Sequence, residues 1–138
     1  MTQTQALAKG DIIAEETHII TRESLVRYAG AAGDFNSIHY SDQAAKEAGL
    51  PGVLAHGMLT GALALQTVID WLDGDSTRIR SYETRFTRPV VVDATAGAKV
   101  VVTAKVGKVE DASIRIDLVV KCEDTTVLGK TQATVAYR

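Results

Sequence analysis

The apolar positions of this chain change period part-way along it. In the first half they recur at helical spacing, and in the second half they alternate. Gly57–Asp73 is apolar on nearly every side, with Met58, Leu59, Ala62, Leu63, Ala64, Leu65, Val68, Ile69, Trp71 and Leu72. A helix of that kind is expected to be buried over most of its surface. Asp73-Gly74-Asp75 closes it. Upstream, Arg22–Ala32 predicts a helix carrying Leu25, Val26 and Ala29, with Thr21 as N-cap, Glu23 in the first turn and Gly33 as its stop. Ser41 caps a short helix, Asp42–Ala48, which Gly49-Leu50-Pro51-Gly52 ends. Gly10–Ile20 predicts a short strand.

Beyond the long helix the pattern is that of a sheet. Ala98, Val100, Val102, Ala104 and Val106 share one face of Gly97–Gly107, with Lys99, Thr103 and Lys105 opposite. Ile114, Ile116, Leu118 and Val120 do the same in Ala112–Cys122, and Val127, Ala133, Val135 and Tyr137 in Thr126–Arg138. The turns Lys108–Asp111 and Glu123–Thr125 are short, so an antiparallel meander is expected. Ile79–Thr87 predicts a fourth strand, ended by Pro89. The class is α+β. Only the sheet is large enough to cover so apolar a helix, so it is expected to wrap round it in the hot-dog arrangement.

Composition narrows the function. A chain of 138 residues is one domain with room for a core. A net charge of −2 argues against a nucleic-acid binder. One cysteine, Cys122, excludes an internal disulfide and a cysteine zinc cluster, and its place on an apolar strand face reads as core. No secretory signal is visible at MTQTQALAKGD, and Met58–Leu72 is too short for the ~20 residues of a bilayer span. The expectation is a cytoplasmic protein.

Candidate chemistry gathers between Gly33 and Gly61. Asp34 precedes His39 by five positions, on the loop that follows a helix stop. Two readings stand: a turn with a packing histidine, or an acid/base pair suited to neutral pH. His56-Gly57 opens the apolar helix. Gly57 either permits tight packing or presents a free N–H, backed by the helix dipole, to an oxygen gaining negative charge. Asp34, His39 and His56 also compose a two-histidine, one-carboxylate set, but no metal-ligand spacing supports it. Arg78, Arg80, Arg85 and Arg88 lie close together with one acid, Glu83. They fit either a solvated strand face or a contact with phosphates or an acidic carrier. His18 has no evident partner.

These residues carry a resemblance. Tyr28-Ala29, Gly33-Asp34-Phe35-Asn36-Ser37-Ile38-His39, Ala45, His56-Gly57-Met58 and Arg85-Phe86-Thr87-Arg88-Pro89-Val90 resemble the signature of MaoC-like, R-specific enoyl-thioester hydratases. Among these the chain is most similar to the single-hot-dog B subunits of actinobacterial (3R)-hydroxyacyl-ACP dehydratases. The resemblance implies a hot-dog fold, Asp34 and His39 as the catalytic dyad, and the Gly57 N–H on the thioester carbonyl. Asn36, His56, Arg85 and Arg88 are then expected around the substrate. No cofactor and no metal are required. Two departures stand out: Ser37 where the family usually has proline, and Val91-Val92-Asp93-Ala94-Thr95 where it often has a Pro-Gly-Asp turn.

The expected reaction is the reversible hydration of a trans-2-enoyl thioester, on coenzyme A or acyl carrier protein, to the (R)-3-hydroxyacyl form. Two alternatives remain at this level: an acyl-binding partner subunit without activity of its own, and a thioesterase on the same fold. A single hot dog leaves a sheet edge to be covered, so a homodimer or a heterodimer with a related subunit is expected, and neither nucleic acid nor membrane is.

Overall fold

The structure, a computed structural model, describes residues 6–137. Its elements run β1 (Ile12–Ile20), α1 (Arg22–Ala32), α2 (Asp42–Glu47), α3 (Gly57–Trp71), β2 (Ile79–Glu83), β3 (Ala98–Val109), β4 (Ser113–Cys122), β5 (Thr125–Thr126) and β6 (Gln132–Ala136). The antiparallel sheet has the order β1-β3-β4-β6-β2, with β5 paired to β4. The meander holds for β3, β4 and β6, while β1 and β2 form the two edges.

Alternation decides what faces inward. Val100, Val102, Ala104 and Val106 are buried, as are Ile114, Ile116, Leu118 and Val120 on the next strand. They pack with Ile20, Leu25, Ala64, Val68 and Leu72 in one core. Each buried valine or isoleucine contributes about 1.5–3 kcal/mol of transfer free energy.

Three expectations are corrected. First, α3 is not buried on most sides. Its covered residues are Thr60, Gly61, Ala64, Thr67 and Val68, mostly small, which lets the helix lie close to the sheet. Met58 and Ala62 are exposed, and Leu65 and Ile69 only half-buried, because a single sheet curls over one face of a helix. Second, the strand expected over Ile79–Thr87 stops at Glu83, and beyond it only an isolated bridge joins Phe86 to Leu128. Third, the strand expected over Thr126–Arg138 is broken between β5 and β6. There Gly129 N–H turns aside to the Arg85 carbonyl at 2.7 Å. Arg138 lies outside the described residues. No described helix is long and apolar enough to cross a bilayer.

Two short helices present the loop between them. Thr21 caps α1, its hydroxyl accepting from Ser24 N–H while Ser24 reciprocates. Gly33 ends the helix at φ 72°, a left-handed conformation that disfavours a side chain. Arg22 then ties the region together. Its guanidinium donates to both Asp42 oxygens, at 2.8 and 3.2 Å, and to the Val92 carbonyl at 2.7 Å. The same guanidinium holds the Asp42 carboxyl below its usual pKa.

Candidate active site

The loop Asp34–Tyr40 is built by short-range hydrogen bonds. The Asp34 carboxylate accepts from Asn36 N–H at 3.2 Å. The Asn36 side chain in turn accepts from Ile38 N–H and so caps a single 3₁₀ turn, Ser37–His39. Ser37 opens this turn without difficulty, its carbonyl accepting from Tyr40 and Ser41. Ile38 C=O accepts from Leu54 N–H at 3.0 Å, and His39 Nδ1–H donates to the Leu54 carbonyl at 2.7 Å. A carbonyl only accepts, so Nδ1 carries a proton, and in the neutral ring the lone pair is on Nε2.

The Leu54 segment is held from its other side. Ala55 N–H donates to Val90 and Val92 N–H to Val53, both at 2.9 Å. Asp93 starts the next turn, its carboxylate accepting from Thr95 and Ala96 at 2.9 and 2.7 Å. These bonds hold its carboxyl below the usual range and show how the chain turns without Pro-Gly-Asp.

His56 lies at the start of α3, only 2% exposed. Its side chain does not cap the helix. Nε2–H instead donates to the Asp34 backbone carbonyl at 3.2 Å. Its ring stacks on His39 with centroids 3.8 Å apart and 23° between planes, and meets Tyr28 at 4.7 Å and 56°. Burial pushes the His56 imidazole below its ordinary pKa, and the neighbouring His39 adds to that. Its Nδ1 and the Thr60 hydroxyl are buried with no hydrogen-bond partner among the described residues.

Leu59 and Thr60 N–H both go to the His56 carbonyl, at 3.1 and 3.2 Å. Gly57 and Met58 precede them on the first turn, outside the helical ladder. A Cβ on Gly57 would stand 3.0 Å from the Phe86 ring, so glycine is what admits Phe86 here. The strand end that carries Phe86 is anchored by Tyr82, whose Oη–H donates to the Gly61 carbonyl at 2.6 Å; burial pushes this phenol up to about 12, so it remains a donor.

A cavity of about 420 Å³ joins these groups. Asp34, His39, His56, Gly57, Thr60 and Arg88 all line it, with Met58, Phe86 and Leu128 adding apolar wall. Asn36 and Arg85 are not among its lining residues. Arg78 leaves the expected arginine group altogether: it is buried and its Nε–H donates to the Ala136 carbonyl at 2.9 Å. Sequence reasoning missed Tyr28 and Thr60. Tyr28 stood in the quoted motif without a role, and Thr60 looked like an interruption of an apolar run.

One oxygen of Asp34 and one ring nitrogen of each histidine lie within 4.8 Å of one another. That brings the three possible metal ligands together, but two ring nitrogens are already committed, and the stacked rings direct their lone pairs along near-parallel planes. An ion ~2.0–2.1 Å from both nitrogens needs converging lone pairs. The residues as arranged do not fit a metal ion.

Comparison with known proteins bears on the family and the fold. Residues 3–123 match the MaoC like domain. The chain is 45% identical over 78 residues to 3-hydroxyacyl-thioester dehydratase X of Mycobacterium tuberculosis, covering 56% of this chain and 26% of that protein. It superposes on a MaoC-like dehydratase with a TM-score of 0.91 and 31% identity, over 96% of this chain and 41% of that one. It shares its fold with a chain of the C-terminally truncated HadBC (3R-hydroxyacyl-ACP dehydratase) complex of M. tuberculosis, with a TM-score of 0.70 and 20% identity over 91% and 95% of the two chains. The chain thus spans about a quarter of the curated relative's length. The hot-dog fold expected from its alternation is the fold of these proteins, and the chain belongs to the MaoC-like domain family.

Proposed function

We propose that this chain catalyses the reversible addition of water to a trans-2-enoyl thioester, giving the (R)-3-hydroxyacyl thioester. The observation that carries the reading is one cavity holding the Asp34 carboxylate, the His39 ring and the helix start at Gly57. In hydration, Asp34 and His39 together hold a water and take its proton as oxygen attacks C3. A proton returns to C2. In dehydration the pair removes the C2 proton and protonates the departing hydroxyl. Either way the thioester oxygen gains charge and accepts from Gly57 N–H. A positioned acid/base pair supplies about 10²–10⁴-fold, and one oxyanion donor about 2.7–4 kcal/mol. Asp34 and His39 act as a pair with a shared proton, so neither is assigned acid or base alone.

Arg88, at the cavity wall, is the cation placed to meet the phosphates of coenzyme A or of a carrier protein's pantetheine arm. Asn36 supports the reading as a cap of the dyad loop, and Arg85 as exposed positive charge near the strand end. The exposed helix face calls for a hot-dog partner, the same chain or a related one. The test is hydration of crotonyl-CoA by the isolated chain and by Asp34→Asn and His39→Gln. The expected result is activity in the wild type and a loss of about 10²–10⁴-fold in each variant. Wild-type rates in both folded variants would overturn the mechanism. Release of free thiol without hydration would make the chain a thioesterase, and activity only after a second subunit is added would make it a partner subunit.

A further inference from the structure

We propose that His56 is a positioning residue that clamps both members of the dyad: Asp34 through its backbone carbonyl and His39 through its ring face. The proposal rests on the hydratase reading for its catalytic half. Three observations carry it. The residue before a helix usually turns its side chain back to accept from the first free N–H groups, but His56 makes no such bond. It swings over the catalytic loop instead, donating Nε2–H to the Asp34 carbonyl and lying 3.8 Å from the His39 ring. It is then backed by Tyr28 from α1 and is almost wholly buried. Neither nitrogen is presented to a ligand, since Nε2–H is used by Asp34 and Nδ1 is inaccessible.

The clamp has an electrical side. The groups that face the His56 ring are Asp34 on the loop, His39 on the 3₁₀ turn and the Tyr28 ring on α1. Burial disfavours charge on His56, so a proton shared by Asp34 and His39 during turnover sits beside a ring that resists taking it. A charged His56 at 3.8 Å would oppose protonation of His39. His56 thus fixes where Asp34 and His39 sit and leaves His39 as the group of the stack that carries charge.

Three variants separate the contributions. His56→Phe keeps a ring for the stack and loses the donor. His56→Gln keeps a donor and loses the stack. His56→Ala loses both. Each is assayed for kcat, KM and the pH profile with crotonyl-CoA, and the His39 ring signals are followed by two-dimensional NMR, because a stacked neighbour displaces them whether or not the protein is active. The expected result is a kcat about 10²-fold lower in His56→Ala with KM unchanged, smaller losses in the other two, and His39 signals that move in His56→Gln and His56→Ala more than in His56→Phe. A raised KM with kcat retained would overturn the proposal and make His56 a substrate ligand. Unmoved His39 signals in His56→Gln would overturn it too. If His56→Ala does not fold, His56→Phe and His56→Gln decide alone. If the wild type shows no hydration, the proposed function falls, and the His39 signals still decide the clamp.

Discussion

His39 owes its ring orientation to a backbone carbonyl. Leu54 C=O fixes a proton on Nδ1, so that in the neutral ring the lone pair is on Nε2. That carbonyl is 15 residues away in sequence, and the segment bearing it is held by Val90 and Val92, so spacing alone does not reveal the tautomer. That Asp34 and His39 share one loop and could line one cavity was legible in the sequence; the stack with His56 was not, because it depends on which way a buried ring turns at a helix start. Two predictions belong at this scale. His56 has a depressed pKa in the folded protein, against about 6.5 when exposed. The unfolded chain therefore binds the extra proton more readily, and stability that is full above about pH 6.5 is lost as the pH falls toward the folded value. Urea melts at neutral and mildly acid pH should show this slope in the wild type and a reduced slope in His56→Phe. Separately, Gly57→Ala places a Cβ 3.0 Å from Phe86 and moves either the ring or the helix start. The expected loss in kcat/KM reaches about 10²-fold and is partly relieved in Phe86→Leu, as steady-state kinetics on the single and double variants would show.

At the scale of elements, caps and turns decide how the loop that carries Asp34 and His39 is presented. Thr21 and Gly33 close the two ends of α1 by ordinary capping rules, and both were readable from the sequence. The ends of the strands were less so. Alternation continues past Glu83 in the sequence, but the backbone leaves the sheet there to carry Phe86 over Gly57, and Gly129 releases the facing strand to follow it. The period of a sequence does not show where a sheet curls away from its helix. The capping residues give a discriminating pair of variants. Thr21→Ala is expected to destabilise the protein by about 1 kcal/mol, and Gly33→Ala, forced to φ 72°, by about 1–2 kcal/mol. Chemical denaturation should find both losses comparable. Only Gly33→Ala should also lower kcat, because Gly33 hands the chain directly to Asp34 whereas Thr21 lies at the far end of the helix.

For the molecule as a whole, the decisive feature is the part of α3 that the sheet does not cover. The sequence made this helix apolar all round, and the fold buries one face of it. Met58 and Ala62 lie exposed at i and i+4, flanked by the half-buried Leu65 and Ile69, in a stripe that ends beside the cavity, where Met58 is 64% and Phe86 55% exposed. An apolar strip of this kind, next to the edge strand β2, marks an interaction surface. Its apolar residues were plain in the sequence; that Met58 and Ala62 face outward was not, since it follows from the sheet having too few strands to close round the helix. A stable interface takes about 1,200–2,000 Å² in total, and the stripe with the β2 edge is the surface from which to build it. The expected outcome is a solution mass near twice the 14.7 kDa of the chain, measured by light scattering. Ala62→Glu with Ile69→Glu should bring the mass down to that of one chain, because two buried carboxylates without partners oppose association. The same double variant should keep its fold by circular dichroism, since neither side chain is in the core. Its rate on crotonyl-CoA then shows whether the site depends on its neighbour: a monomer with full activity would make the partner a matter of stability alone, and a folded but slow monomer would mean that the second subunit completes the wall of the cavity. If instead the wild type already runs as one chain and becomes larger only with a related hot-dog subunit, the stripe is the seat of a heterodimer, and the double variant should abolish that complex.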